Sequence, residues 1–234
     1  MMDLVELGTV QPDSHWYYQS KFTFLRRTLQ KLVATPTQVV DVGAGSGFFA
    51  KKFAEHFRTS RIIAYDPNYT QDFLEQHDDS LYQNHLTSMD IANADVVLMI
   101  DVLEHISDPK SVLLDFTRQA KKDALFLITV PAFMILWSQH DVFLKHYRRY
   151  RIRDVQLLVK NSGLDVISSR YLYSTIFPIA LLKRRLTSGV GSDMRELPRR
   201  VNSLLRLLCV TEHALPWLRL PGLTAFVVAR KSSG

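Results

Sequence analysis

Three stretches of this chain bring together residue types and spacings that can do chemistry. The first is Asp41-Val42-Gly43-Ala44-Gly45-Ser46-Gly47, an acid followed by three glycines at alternate positions. Glycines so placed let the backbone take conformations denied to other residues and let a ligand approach the main chain closely. The second is Asp101-Val102-Leu103-Glu104-His105, two acids and an imidazole in five residues. The third is the densest: Trp137-Ser138-Gln139-His140-Asp141 and, shortly after, Lys145-His146-Tyr147-Arg148-Arg149-Tyr150. Imidazoles change charge near neutral pH and serve as proton acceptors. His140, His146 and His105, in that order, are the candidate bases, and Trp137, Asp141, Arg149 and Tyr150 are candidates for holding a substrate.

Elements that would position these groups follow from the hydrophobic pattern. Val39–Val42 is a β-branched run that ends at the glycines, and an apolar, helix-competent stretch begins at Phe48, giving strand, tight turn, helix. Arg61–Asp66 reads as the next strand, with Asp66 at its carboxyl end and Pro67 starting the turn. In doubly wound sheets an acid at that place accepts hydrogen bonds from both ribose hydroxyls. Ala94–Ile100 is almost continuously apolar, as expected of a strand covered on both faces, and it delivers Asp101 and the Leu103-Glu104-His105 phrase to its carboxyl end. A helix over 109–120, a strand at Leu125–Val130, a helix over Ile152–Ser162 and strands at Leu164–Leu172 and Leu223–Arg230 complete an alternating α/β pattern. Residues 12–36 read as a helical lead-in rich in aromatics, either stapled to the core or lying over a cofactor as a lid.

The D-x-G-x-G-x-G pattern lacks the third glycine of the dinucleotide fingerprint, where this chain has Phe48. It resembles motif I of the class I methyltransferases, which bind S-adenosylmethionine. The Leu103-Glu104-His105 phrase is similar to the motif that follows a central strand in the same proteins, and the resemblance spans about residues 15–173 and the last strand. It implies an α/β fold, a doubly wound, seven-stranded, Rossmann-like sheet, mostly parallel with an antiparallel last strand. It also implies a cofactor site made of Asp41, Gly43, Ala44, Gly45, Gly47, Asp66, Pro67 and Asp101, with Asp90 taking the adenine amine and Ile91 lying against the ring. A His-Trp-aromatic-aromatic stretch like His15–Tyr18 occurs near the N-terminus of some relatives, with Arg in place of Lys21. Loops pairing Trp-Ser-x-His-Asp with His-x-Arg-Tyr resemble those of bacterial methyltransferases linked to glycan or lipid assembly.

At 234 residues, 47% hydrophobic and 22% charged, the chain can form a single domain with an ample core. The lone Cys209 excludes an intrachain disulfide framework and fits a reducing compartment, and the first residues lack a basic-then-apolar leader, so a cytoplasmic protein is expected. Charge is unevenly placed. Residues 145–220 hold 15 Lys/Arg against 5 Asp/Glu, while the remainder holds 14 against 18. The core of 37–173 and 223–230 does not require the segment 174–222, in which the apolar run Ile176–Leu182 meets Lys183-Arg184-Arg185. That segment is expected to cap the acceptor site. It suits either a helix lying on an anionic membrane surface or a dimer face, so the inner face of a membrane is an expected location.

An S-adenosylmethionine-dependent methyltransferase acting on oxygen or nitrogen of a small or lipid-linked acceptor is therefore the expected function. A nicotinamide oxidoreductase is disfavoured by Phe48, and the alternative is a non-catalytic, membrane-associated or nucleic-acid adaptor on the same fold. A basic face without a reading motif argues against nucleic acid. Asp101, Glu104 and His105 offer fewer donors than hard or borderline metals usually take, so no metal is expected.

Overall fold

The computed structural model describes residues 11–77, 81–186, 197–213 and 220–232. After the entry helix α1 (Trp16–Leu32), strands and helices alternate: β1 (Gln38–Val42), α2 (Phe48–His56), β2 (Arg61–Tyr65), α3 (Gln71–Gln76), β3 (Tyr82–Gln83), α4 (Ser88–Ala92), β4 (Val96–Ile100), α5 (Pro109–Gln119), β5 (Leu125–Pro131), α6 (Gln139–Phe143), α7 (Ile152–Lys160) and β6 (Leu164–Leu172). Helices α8 (Phe177–Leu186) and α9 (Arg199–His213) precede the last strand, β7 (Thr224–Lys231). The seven strands lie in the order β3-β2-β1-β4-β5-β7-β6. All pairings are parallel except those of β7, which runs antiparallel to β5 and β6. The expected sheet, with its antiparallel last strand, is what the chain forms.

Burial explains the central strands. Every residue of β1 and of β4 is buried, so alternate side chains serve two cores. Val39, Val96 and Leu98 face the layer built by α1 and α2, whereas Val40, Val97 and Met99 face the layer built by α5 and α7. Helix starts are marked by side chains that satisfy free N–H groups. The Thr70 hydroxyl accepts from the Phe73 N–H at 3.2 Å, and Asp108 accepts from Ser111 at 3.2 Å with Pro109 in the first turn. Order in the sheet reverses between β1 and β4, the place where open α/β sheets bind ligands outside the carboxyl ends of their strands.

Some boundaries differ from expectation. The lead-in helix is confined to Trp16–Leu32. Strand β3 is only Tyr82–Gln83, because the chain turns out of the sheet to start a capping box at Thr87. The apolar run at Ile176–Leu182 does not lie wholly on the surface: Ile176 is buried in the core and the helix begins after it. No helix among the described residues is long and apolar enough to cross a membrane.

Candidate active site

The carboxyl ends of β1, β2 and β4 build one half of the site from main chain. Gly43, Gly45 and Gly47 all have positive φ, +69°, +53° and +71°, so the turn after β1 takes a left-handed conformation at every second residue. At Gly47 a side chain is doubly excluded, since a Cβ would come within 2.4 Å of the Tyr82 ring. Asp66, one residue beyond β2 and almost fully buried, reaches back to this turn. Its carboxylate accepts from the Gly45 N–H at 3.1 Å and from the Asn68 main-chain N–H and side-chain amide at 2.9 and 2.7 Å. Burial raises the carboxyl pKa, but the positive charge of the N-terminus and then these hydrogen bonds lower it, and Asp66 lies below its ordinary value. The acid is thus ionised and turned toward the glycine turn. Pro67, beside it, is exposed, and Asp41 is buried within β1 beneath the turn.

Asp90 and Ile91 require a correction. The Asp90 carboxylate closes the capping box of α4, accepting from Thr87 N–H at 2.9 Å, and pairs with Arg61 at 3.2 Å. Arg61 and Gln38, which donates to the Asp90 carbonyl at 2.5 Å, are the first residues of their strands. Asp90 therefore sits at the amino edge of the sheet, opposite the glycine turn, and Ile91 is a core residue. The register that sets Tyr65 beside Gln83 instead carries Asn84 to the carboxyl edge next to Asp66. No spacing rule had pointed to Asn84.

Asp101 follows β4 with φ +55° and is held by side chains rather than left open for a ligand. It forms an ion pair with the fully buried Lys21, and it accepts from the Tyr17 hydroxyl at 3.2 Å and the Thr129 hydroxyl at 2.8 Å. Burial would raise its pKa, but the Lys21 charge outweighs it and keeps the carboxyl ionised. This contact fixes α1 to the centre of the sheet. The sequence held a signal for it: Lys21 interrupts the apolar face of α1 one turn after Tyr17, whose hydroxyl accepts from Lys21 at 2.6 Å.

The other half of the site lies beyond β4 and β5 and is held by side chains. Asp141 is fully buried. It accepts from His146 Nδ1 at 2.9 Å, from Arg149 Nε at 2.6 Å and Nη2 at 3.1 Å, and from the Ser138 N–H at 2.9 Å. Burial would raise its pKa, yet His146 and Arg149 together hold it far below the usual carboxylate range. Arg184 of α8 lies 3.6 Å away on the far side. The following segment runs along the Leu103–His105 turn: the Tyr147 N–H donates to the Glu104 carbonyl at 2.8 Å and the Tyr150 hydroxyl to the Leu103 carbonyl at 3.1 Å.

Asp141, Arg149 and Tyr150, read as substrate ligands, have polar atoms engaged within the protein and brace this half of the site. Trp137 is half-buried at the end of a short 3-10 turn. His140 is buried on α6. His105 and His146 come together, ring centroids 4.6 Å apart, beside Glu104. Burial and then the neighbouring His146 lower the His105 pKa to about 4, while burial and then Asp101 raise that of Glu104 well above its ordinary value. Arg184 was read as one of three cations facing lipid; it points inward, and the side chains of Lys183 and Arg185 lie outside the described residues.

A glycine turn with a buried acid beside it, at the carboxyl edge of a seven-stranded sheet with one antiparallel strand, is the arrangement of a class I S-adenosylmethionine-dependent methyltransferase. The chain belongs to the methyltransferase-domain family, whose model matches residues 15–169. No curated protein matches it by sequence. Among solved structures it is similar to a protein assigned as a sarcosine dimethylglycine methyltransferase from Galdieria sulphuraria, with 14% identity, TM-score 0.56, 92% of this chain and 85% of that one covered. It is also similar to a SAM-dependent methyltransferase from Archaeoglobus fulgidus, with 14% identity, TM-score 0.55 and coverage of 91% and 94%. A third is phosphoethanolamine N-methyltransferase 2 from Haemonchus contortus in complex with S-adenosyl-L-methionine, with 16% identity, TM-score 0.53 and coverage of 85% and 49%. At these identities the likeness is one of fold.

Proposed function

We propose that this chain transfers a methyl group from S-adenosylmethionine to a lipid-linked or similarly amphipathic acceptor. The observation that carries the first part is the left-handed glycine turn with the ionised Asp66 carboxylate turned toward it. The turn gives a small-residue surface over which a nucleoside and its sulfonium chain can lie, and Asp66 is the acceptor for ribose hydroxyls. Asn84 stands at the neighbouring strand end as a partner for the base. The cofactor supplies a methyl group already activated on a positively charged sulfur, so the protein's work is positioning.

The acceptor enters from the side of β4 and β5, over His105 and His146, with Trp137 at its margin. What supports an apolar acceptor is the surface above it. Helix α8 packs against the 3-10 turn at Met134–Leu136, and Met134, Ile135, Ile179 and Leu182 are all more than half exposed there. A lipid tail, or the membrane that holds it, covers such a surface. Incubating the protein with methyl-labelled cofactor and either bacterial lipid extract or the water-soluble fraction tests the reading. Label is expected in the organic phase. Label only in the aqueous phase removes the lipid part, and no binding of the cofactor by calorimetry removes the whole.

A further inference from the structure

Three polar side chains at the head of the acceptor side converge and do not satisfy one another. Glu104 is fully buried, and among the described residues neither of its carboxylate oxygens has a hydrogen-bond partner. His105 Nε2 and His146 Nε2 are buried and, among the described residues, unpartnered as well. One donor atom from each of the three residues lies within 4.8 Å of the other two.

Outer contacts set which atoms face inward. Asp141 already accepts from Arg149 and Ser138, so it is ionised and the His146 Nδ1, 2.9 Å away, must carry the proton it shares. That turns His146 Nε2 toward Glu104 and His105. A carboxylate that orients an imidazole through its far nitrogen is the usual support behind a metal-bound histidine. Main-chain contacts hold the other two: the Glu104 carbonyl accepts from Tyr147 N–H at 2.8 Å, and His105 N–H donates to the Val102 carbonyl at 3.0 Å.

Buried polar groups without partners are costly, and three that converge on one point are more so. From this convergence we infer that Glu104, His105 and His146 form a binding site for one divalent cation of the zinc type. Two imidazole nitrogens and one carboxylate are a ligand set that zinc takes with a fourth position left open. A tetrahedral ion would draw the donor atoms to about 3.4 Å from one another, a contraction of at most about 1.4 Å from the bound seen here. The short run Glu104-His105 could not supply the site alone. His146, forty residues on, completes it. A cation here would present its open position to the acceptor side, where it could take an acceptor oxygen.

Cobalt(II) is the probe, because its visible d–d bands report nitrogen and oxygen ligation directly. Chelator-treated, full-length protein should bind one cobalt per chain with tetrahedral-type bands, and zinc should displace it. Glu104→Gln and His146→Ala should each weaken binding at least tenfold. His105→Gln, at a less buried position, provides the same readout if either of those variants fails to fold by circular dichroism. Cobalt bands absent at stoichiometric metal, or unchanged in folded variants, would overturn the inference, the three groups then sharing protons alone. S-adenosylmethionine binding measured on the same samples separates this failure from that of the methyltransferase reading.

Discussion

The two halves of the site are built by opposite means. On the cofactor side the shape is carried by main chain: alternate left-handed glycines, a strand end and one acid that bonds to the turn itself. On the acceptor side the shape is carried by charged side chains drawn from distant segments, with Asp141 gathering His146, Arg149 and Arg184 around one buried carboxylate. A main-chain site is altered locally when it is mutated. A clamp of buried charges fails as a unit, because removing one member leaves the others uncompensated. Substitutions on the cofactor side should therefore change binding more than stability, and those on the acceptor side the reverse.

The largest expected effect is that of Asp141→Ala, a loss of about 3–5 kcal/mol of unfolding free energy in urea, the range for breaking a buried charge pair. A loss below about 1 kcal/mol would show that main chain holds this half too and would dissolve the contrast. pH sharpens the same point. Because the folded Asp141 carboxyl lies far below its unfolded value, its contribution is complete above about pH 4 and disappears as pH falls toward the folded value. Asp141→Asn should flatten that acid limb.

Next in size is Gly45→Leu. Its φ of +53° disfavours any side chain, and a branched one would intrude on the turn. Cofactor affinity by calorimetry should fall at least about 100-fold, or about 2.7 kcal/mol, while the melting temperature moves little. Unchanged affinity would remove the turn from the site. Asp66→Ala should weaken cofactor binding by about 1.5–3 kcal/mol, as for hydrogen bonds to a charged group. A change under about 0.5 kcal/mol would make Asp66 a mere turn residue. The smallest effect is that of Tyr150→Phe, about 0.5–1.5 kcal/mol of stability from one buried hydrogen bond to the Leu103 carbonyl, with cofactor affinity unaltered. If affinity fell instead, the two halves would be coupled through the Leu103–His105 turn.

The same contrast explains what could be read from sequence. Val39–Gly47 and Asp66 were legible because a strand, a glycine turn and an acid are local statements about backbone. The sheet and its antiparallel last strand followed from apolar runs and from the resemblance to methyltransferases. Asp90 misled because an acid just before a central strand looks the same whether it caps a helix at the amino edge or meets a ligand at the carboxyl edge; only the register of β3 against β2 separates the two. Asp141, Arg149 and Tyr150 looked like ligand contacts because buried and exposed polar residues have the same letters. Arg184, beside two other cations, looked like a lipid contact until its partner in another segment was seen. Pairings across forty or eighty residues, such as Arg184 with Asp141 or Lys21 with Asp101, leave only a charge in an apolar neighbourhood as their trace.

The place of β7 between β5 and β6 also sets a schedule for the nascent chain. Strand β6 touches the sheet only through β7, so it leaves the ribosome with no neighbour to join. At common rates of synthesis the gap between Leu172 and Lys231 lasts about 3–12 s, long compared with the folding of helices and hairpins. An apolar strand waiting that long would be open to capture by other chains. The composition of β6 answers this, with Asp165 and Ser168 exposed along it and Ser169 half-buried, while β7, which arrives last and is paired at once on both sides, has its first six residues buried.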